Sequence, residues 1–471
     1  MSSSSSISLR WTKKYNVFDA YTIKTSSYFL EPPLPSKTPS NPPPTSTYIY
    51  SSKPLPHPPT ITDIFLDINE PYTLNLIHSI LKSKACYNIT LGAHEGDSPV
   101  VVDSSTFQFS EYERCNWSSL RIGKGRCSNF CVRKGLSRKA QMWNYSRRYC
   151  SKNGESILKN NIPKTIVIET WSVFESDDNS VVMGDGTRVD FTNLSIPDRL
   201  KIVCGDFLQM QEDFFKENKE VTWILKPSSI NRGAGIEIFL VFEQLLEFLT
   251  STPDVREWVV SVYIDDPLLL NNRKFHIRAY VLARGDLTCF FYKDVLCLCS
   301  GTDYGDDLDY FAHITNTCYQ SLDEGFNEEE CVLNLDDVER ILISDYGFNE
   351  LKAKKEVENI MKEMLELTGD LFKCYKGESN VYAPLSGCFE HYGFDFMIGK
   401  NSNPNSEFEY KTYLLEVNPG PDFKQSGRKG EGVVRGMLEE SVDLCLGGGE
   451  WREDEGWRFE KVYEKEEGRG K

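Results

Sequence analysis

The sequence predicts an α+β fold in which strands outnumber helices. Apolar, β-branched or aromatic runs of strand length recur at Thr165–Ile168, Val221–Lys226, Glu257–Ile264, Lys274–Leu282, Cys289–Tyr292, Gly393–Ile398 and Thr412–Val417, as expected of buried strands. Helical periodicity is confined to a stretch after Glu70, a short one at Glu243–Leu249 and a long one at Asn349–Cys374. A hydrophobic fraction of 40% with 12% aromatics supplies a large core and excludes disorder as the main state.

Taken in order, residues 1–59 read as a flexible Ser/Pro-rich tail, because eleven of the 22 prolines lie between Pro32 and Pro59 and such density builds neither helix nor central sheet. Within it, Leu9–Leu30 carries Trp11, Tyr15, Phe18, Tyr21, Tyr28 and Phe29, too aromatic for a simple linker. An N-terminal α/β subdomain is expected over 60–160. Ile61, Ile64, Leu66 and Ile68 form its first strand, and Glu70-Pro71 opens a helix with the apolar face Tyr72, Leu76, Ile77, Ile80 and Leu81. A central subdomain, 161–260, follows, with a turn at Asp185-Gly186. The strand ending at Lys226 runs into the loop Pro227–Gly235, then a strand at Ile236–Phe242 and a helix stopped before Pro253. The C-terminal subdomain, 261–446, contains the long helix, whose predicted core stripe is Val357, Met361, Met364, Thr368 and Leu371. From Gly447 to 471, glycines and dense charge predict a mobile tail.

The net charge is −17, which argues against a protein that binds nucleic acid or anionic lipid with its whole surface. Yet Arg121–Lys152 carries ten basic residues and no acidic one, which leaves −27 for the rest. No apolar run is long enough to span a membrane, and Met1-Ser2 through Ser6 open no signal-peptide core. The fourteen cysteines are scattered, with no Cys-x-x-Cys. They are expected as reduced thiols in the cytoplasm rather than as a zinc site.

Three constellations carry chemistry. In Thr412-Tyr-Leu-Leu-Glu-Val-Asn418, Glu416 and Asn418 share a strand face. If this strand pairs with Gly393-Phe-Asp-Phe-Met397, Asp395 joins them in an oxygen-rich cluster suited to magnesium with bridging phosphates. Its bland alternative is a polar strand end in solvent. Lys226 precedes a loop in which Gly233 and Gly235 let backbone amides approach phosphate oxygens. No Gly-Lys-Ser/Thr follows, so this is not a P-loop, and Gly-x-Gly alone is an ordinary turn. Finally, Lys274, His276 and Arg278 share one face of a strand, either a cradle for phosphate and carboxylate or an exposed edge.

Seven stretches occur in order: Trp223-Ile-Leu-Lys-Pro-Ser-Ser, Arg232-Gly-Ala-Gly-Ile236, Asp266-Pro-Leu-Leu-Leu270, Arg273-Lys-Phe-His-Ile-Arg278, His313-Ile-Thr-Asn316, Gly393-Phe-Asp-Phe396 and Leu415-Glu-Val-Asn418. Together they resemble the tubulin–tyrosine ligase and tubulin–tyrosine ligase-like family over Thr60–Cys445. The resemblance implies an ATP-grasp fold whose central and C-terminal subdomains clasp ATP. It also implies an ATP- and Mg2+-dependent ligase that joins a free amino acid to a protein carboxylate through an acyl phosphate. By the same carry-over, Lys139, Lys226 and Lys274 contact ATP phosphates, and His276, Gly233 and Gly235 lie at the nucleotide. Ser261 and Tyr263 flank a hinge that meets adenine through its backbone. Asp395, Glu416 and Asn418 hold magnesium, and Arg278, with Lys274, serves the acyl phosphate or acceptor carboxylate.

This sequence departs from the family at three places. His276 stands where Asp is usual, Val262 replaces a hinge lysine, and Cys297 stands where tubulin–tyrosine ligase has a substrate-binding arginine. The chain resembles a divergent, fungal-type branch in which a phosphatase-like domain precedes this one; no such domain is expected before Thr60. An acidic protein tail, with the tubulin C-terminal tail as leading candidate, is the expected partner of the basic strip. Membrane is not an expected partner, and nucleic acid is expected only through an assembly. The competing readings are a catalytically weak module for nucleotide or protein/RNA-assembly binding, and a small-molecule ATP-grasp ligase.

Overall fold

The computed structural model describes residues 62–92, 105–174, 180–182, 186–230, 233–305, 309–447 and 451–465. The tail before Thr60 with its aromatic stretch Leu9–Leu30, Ile61, Asp185, Arg232 and the residues from 466 onward lie outside them.

Strand β1 (Thr62–Asp67) leads into helix α1 (Pro71–Ser83), where the Glu70 carboxylate accepts the amides of Tyr72 and Thr73 and Pro71 presets the first turn. Strands β2 (Tyr87–Leu91), β3 (Phe107–Ser110) and β4 (Arg126–Cys127) complete a parallel sheet in the order β2-β1-β3-β4. Helix α2 (Lys139–Lys152) follows, and its first turn is capped from elsewhere in the chain. Lys139 N–H donates to the Ser228 carbonyl and Ala140 N–H to Ser228 Oγ, each at 3.1 Å.

The second sheet is antiparallel: β5 (Thr165–Glu169), β6 (Trp223–Pro227), β7 (Glu237–Phe239) and, after helix α3 (Phe242–Ser251), β8 (Glu257–Val262), in the order β5-β8-β6-β7. Alternation gives it two different faces. Trp223, Leu225, Trp258 and Val260 pack with α3 into one core, while Ile224, Lys226, Val259 and Ser261 face a cleft.

Strand β9 (Arg273–Arg284) is the spine of an eight-stranded sheet and is buried from Lys274 to Ala283. One of its edges pairs with β10 (Thr288–Tyr292) and β11 (Leu296–Cys299). The other pairs with β13 (Phe389–Lys400), which carries β14 (Tyr410–Pro419); β12 (Val332–Leu333) extends the sheet beyond β11. One face, with Phe275, Ile277, Ala279 and Val281, packs under helices α4 (Leu335–Ser344) and α5 (Glu350–Lys373). On the opposite face Tyr280 and Leu282 pack against β1, β3 and helix α6 (Gly427–Cys445). Nearer its start, that same face turns to the cleft. An exposed edge for Lys274–Arg278 is therefore excluded, because β9 is paired on both sides.

Three expectations need correction. The buried stripe of α5 runs through Ala353, Glu356, Ile360, Met364, Leu367, Thr368 and Leu371, so Met364, Thr368 and Leu371 lie where expected and Val357 and Met361 fall on its flank. Glu356 is buried because its carboxylate accepts the amides of Tyr410 (2.8 Å) and Glu409 (3.3 Å), which closes the start of β14. The tail from Gly447 is not uniformly mobile: Phe459–Glu464 form β15, antiparallel to β10. Phe372 stacks on Tyr463, and Gly369 lets α5 approach this strand, since a Cβ there would sit 2.6 Å from the Val462 carbonyl oxygen. Cys297, third, pairs across from Ile277 and so shares the face opposite Arg278. It is fully buried in the α4–α5 core, and the β11 residues on the side of His276 and Arg278 are Leu298 and Leu296. All fourteen cysteines are free thiols. Among the described residues no helix is long and apolar enough to cross a membrane.

Candidate functional site

The central sheet and the eight-stranded sheet face each other across a cleft with about 1170 Å³ of empty space, part of it open to solvent. Lys139, Lys226, Gly233, Ser261, Tyr263, Lys274, His276, Asp395 and Glu416 all line it. Arg278 and Asn418 reach it through Asp395, and Gly235 is buried behind the glycine loop. Residues from six elements, α2, β6, β8, β9, β13 and β14, and from the glycine loop thus converge at one place.

The acidic end is set by strand pairing. Asp395 lies opposite Arg278 on β9 and opposite Glu416 on β14. Arg278 grips Asp395 with two bonds, Nε to Oδ1 at 2.6 Å and Nη2 to Oδ2 at 3.1 Å, a fork geometry that fixes both groups. Asn418 Nδ2 donates to Asp395 Oδ2 at 3.0 Å and to Glu416 Oε1 at 3.2 Å. Lys139 Nζ lies 3.3 Å from Glu416 Oε2 and donates to the Ile230 carbonyl at 3.1 Å, so it ties α2 to the glycine loop and to β14.

Burial works against the Glu416 charge, but Lys139 and Lys226 outweigh it and hold the carboxyl down at about 2. For Arg278, burial likewise opposes the charge, and Asp395 more than restores it.

The fit to a divalent cation can be tested on these atoms. Two carboxylates converge on one point, which the Asn418 amide nitrogen occupies as a bridging donor. Rotating that amide presents its oxygen instead, giving three oxygen donors around one position. No cluster of three His, Cys, Asp or Glu exists among the described residues. Such a donor set suits an ion that completes its shell with water and phosphate, as magnesium does.

The cationic end is built from Lys226, Lys274 and His276. Burial lowers the Lys226 ammonium, with Glu416 pulling the other way. Lys274 is 2% exposed. Burial, and then the Lys226 charge, bring it down to about 7. Its ammonium donates to the Tyr263 hydroxyl and lies 3.9 Å from that ring's centre. His276 shares a hydrogen bond of 2.8 Å between Nδ1 and Thr315 Oγ1, and burial holds it neutral with a pKa of about 4. Four basic side chains (Lys139, Lys226, Lys274 and Arg278) thus face two carboxylates, a local excess of positive charge in a chain of −17. Such an excess calls for an anion.

One backbone expectation changes. Tyr263 N–H already donates to the Thr222 carbonyl and Val262 N–H to that of Lys164, both at 2.9 Å, so neither amide is available to a base edge. Gly233 lines the cleft with a left-handed backbone (φ 73°), and on its other side it is closely backed, since a Cβ would meet Tyr319 Cβ at 3.2 Å. Sequence reasoning missed Thr165, whose Oγ1 lies 2.7 Å from Ser261 Oγ, the part of Ser228 in holding the start of α2, and the site contributions of His313 and Thr315. The signal for the last two was present in His313-Ile-Thr-Asn316, polar residues directly ahead of a helix cap.

A cleft between two sheets, with Lys226 on one, an acid–amide cluster and Lys274 on the other and Lys139 reaching in from α2, defines an ATP-grasp protein. The profile of the tubulin–tyrosine ligase family matches residues 136–449, well over half of the chain. The chain belongs to that family. It is 28% identical over 379 residues to a probable tubulin–tyrosine ligase of Schizosaccharomyces pombe, covering 73% of this chain and 83% of that one. It is 26% identical over 391 residues to the probable tubulin–tyrosine ligase PBY1 of Saccharomyces cerevisiae, covering 73% of this chain but 46% of that protein, so it spans about half that relative's length. Its fold is similar to the crystal structure of the C-terminal domain of K. lactis Pby1, described as an ATP-grasp enzyme interacting with the mRNA decapping enzyme Dcp2. That likeness has a TM-score of 0.58 at 24% identity, covering 86% of this chain and 100% of that one.

Proposed function

We propose that the protein is an ATP-dependent ligase that joins an amino acid to a protein carboxylate, with an acidic tail such as that of tubulin as acceptor. The carrying observation is the pairing of Asp395, Glu416 and Asn418, on the same sheet as Lys274 and across the cleft from Lys226. A carboxylate oxygen of the acceptor attacks the γ-phosphorus of ATP, and ADP leaves. The amine of the incoming amino acid then attacks the acyl carbon, losing a proton, and phosphate departs with the oxygen that the carboxylate brought. Magnesium, held by Asp395, Glu416 and Asn418, would neutralise charge on the transferring phosphoryl group. Lys139, Lys226 and Lys274 bind phosphate oxygens. Asp395 accepts from Nε and Nη2 of Arg278, leaving donors on Nη1 for the acyl phosphate or the acceptor carboxylate.

The test is nucleotide binding by calorimetry with and without Mg2+. Glu416→Gln and Asp395→Asn should each remove the Mg2+-dependent part of ATP binding; undiminished binding in both contradicts the site. A panel of acidic peptides with each amino acid then identifies acceptor and donor.

A second reading, an interaction module in an mRNA-decapping assembly, draws support from the likeness to the K. lactis domain. The retained Asp395, Glu416 and Asn418 speak for catalysis, and Cys297, on the far face of the sheet, no longer speaks against it.

A further inference from the structure

The segment His313-Ile-Thr-Asn316 touches three parts of the site at once. Thr315 Oγ1 meets His276 Nδ1 at 2.8 Å. Asn316 caps the short helix that follows, and together with Tyr319 it backs Gly233. His313 Nδ1 lies 2.6 Å from the Tyr263 hydroxyl, which in turn accepts from Lys274 Nζ. Among the described residues Lys274 has no carboxylate within 4 Å; Asp265 acts on it only at a distance. The buried ammonium is thus oriented by one neutral hydroxyl, and that hydroxyl is held by His313 and by Tyr304.

Donor counting fixes the first link of this chain. An ammonium can only donate, so Tyr263 Oη accepts from Lys274. Tyr304, which donates to the Asp265 carbonyl at 3.2 Å, bonds the same hydroxyl, so His313 Nδ1 either receives the tyrosine proton or donates its own to Tyr263 Oη while that proton goes to Tyr304.

We propose that Tyr263 and His313 are positioning residues that aim the Lys274 ammonium into the cleft, through a hydrogen-bond chain running Lys274 to Tyr263 to His313. The inference rests on the reading of Lys274 as a phosphate-binding group. His313-Ile-Thr-Asn316 then acts as a brace for β9. It holds Lys274 through Tyr263, and it holds His276 directly through Thr315. The tyrosine ring also covers the ammonium, so loss of its hydroxyl alone separates aim from cover.

The experiment uses the full chain and two readouts. In Mg2+-ATP binding, Tyr263→Phe and His313→Leu should each weaken affinity about tenfold, the order expected for a hydrogen bond to a charged group. His313→Asn, whose amide keeps both an acceptor and a donor near Nδ1, should restore most of it. The double variant Tyr263→Phe/His313→Leu should be no weaker than either single change, because both break one chain. Losses that multiply, unchanged affinity in the single variants, or an asparagine as poor as leucine would overturn the proposal. The second readout is the 15Nζ resonance of Lys274 in nucleotide-free protein, assigned with Lys274→Met. It should move in Tyr263→Phe and in His313→Leu and stay near its wild-type position in His313→Asn. If wild-type protein binds no ATP while this resonance moves as described, the ligase reading falls and the positioning chain stands. If the resonance is indifferent to all three variants, the chain falls.

Discussion

Lys274 shows how burial and function meet in one side chain. An ammonium with a pKa of about 7 is close to half neutral at pH 7. Lys226, Asp265 and Tyr263 surround it, and burial lowers Lys226 as well. A bound polyphosphate favours the charged form, so nucleotide binding should take up protons near pH 7. The sign follows from the depressed value: uptake shrinks below pH 6, where Lys274 is already charged. Binding enthalpies compared in buffers of different ionisation enthalpy measure this, and zero uptake at pH 7 would exclude Lys274 as a phosphate contact. His276, held near 4, stays neutral throughout and contributes nothing. Most of these residues were legible in the sequence because alternation along a strand places Lys274, His276 and Arg278 on one face, and Glu416 with Asn418 on another. What spacing could not supply is partnership. That Arg278 grips Asp395 depends on strands brought together over more than a hundred residues, and that Lys274 rests on Tyr263 depends on how the chain turns between two sheets.

At the scale of elements, the sequence reading works where periodicity and punctuation agree. Glu70-Pro71 and Asn349 cap helices as their side chains suggest, and the strands at the cleft lie within a few residues of their expected bounds. It fails where tertiary pairing overrides composition. Phe459–Glu464 hides few apolar residues among dense charge, so nothing local marks it as a strand; β10 supplies the missing partner. The stripe of α5 is displaced for a related reason, since Glu356 is buried to satisfy two amides of β14. Gly369 carries a prediction here. A Cβ 2.6 Å from the Val462 carbonyl forces α5 and β15 apart, so Gly369→Ala should lower unfolding free energy by about 1–3 kcal/mol. Denaturant unfolding measures it, and an unchanged midpoint would mean that β15 docks more loosely than described.

For the whole molecule, the basic strip resolves into two populations. Arg133 pairs with buried Glu390 and lies over the Tyr112 ring, and Lys139 belongs to the cleft. Arg121, Lys124, Lys134, Arg138 and Arg147 are exposed. Reversing the charge at Arg121, Lys134 and Arg147 should weaken binding of an acidic peptide, more strongly at low salt, without lowering stability. Arg133→Glu should instead destabilise by about 3–5 kcal/mol, because it strands a buried carboxylate. Equal peptide affinity in the triple variant and wild type, compared at two ionic strengths, would remove the strip from the recognition path. The −17 of the chain therefore describes its solvent face, whereas the cleft and the track beside it are locally positive.

The central claim is that an acceptor carboxylate is activated by phosphorylation within this cleft. Isotope transfer tests it most directly. An acidic peptide whose carboxylates carry 18O is incubated with the protein, Mg2+-ATP and a mixture of amino acids, and the released phosphate is examined by mass spectrometry. The account predicts one 18O per phosphate, formed in step with ADP and peptide–amino acid product, and no transfer with Glu416→Gln. Product formed with unlabelled phosphate, or with AMP and pyrophosphate in place of ADP, would contradict it.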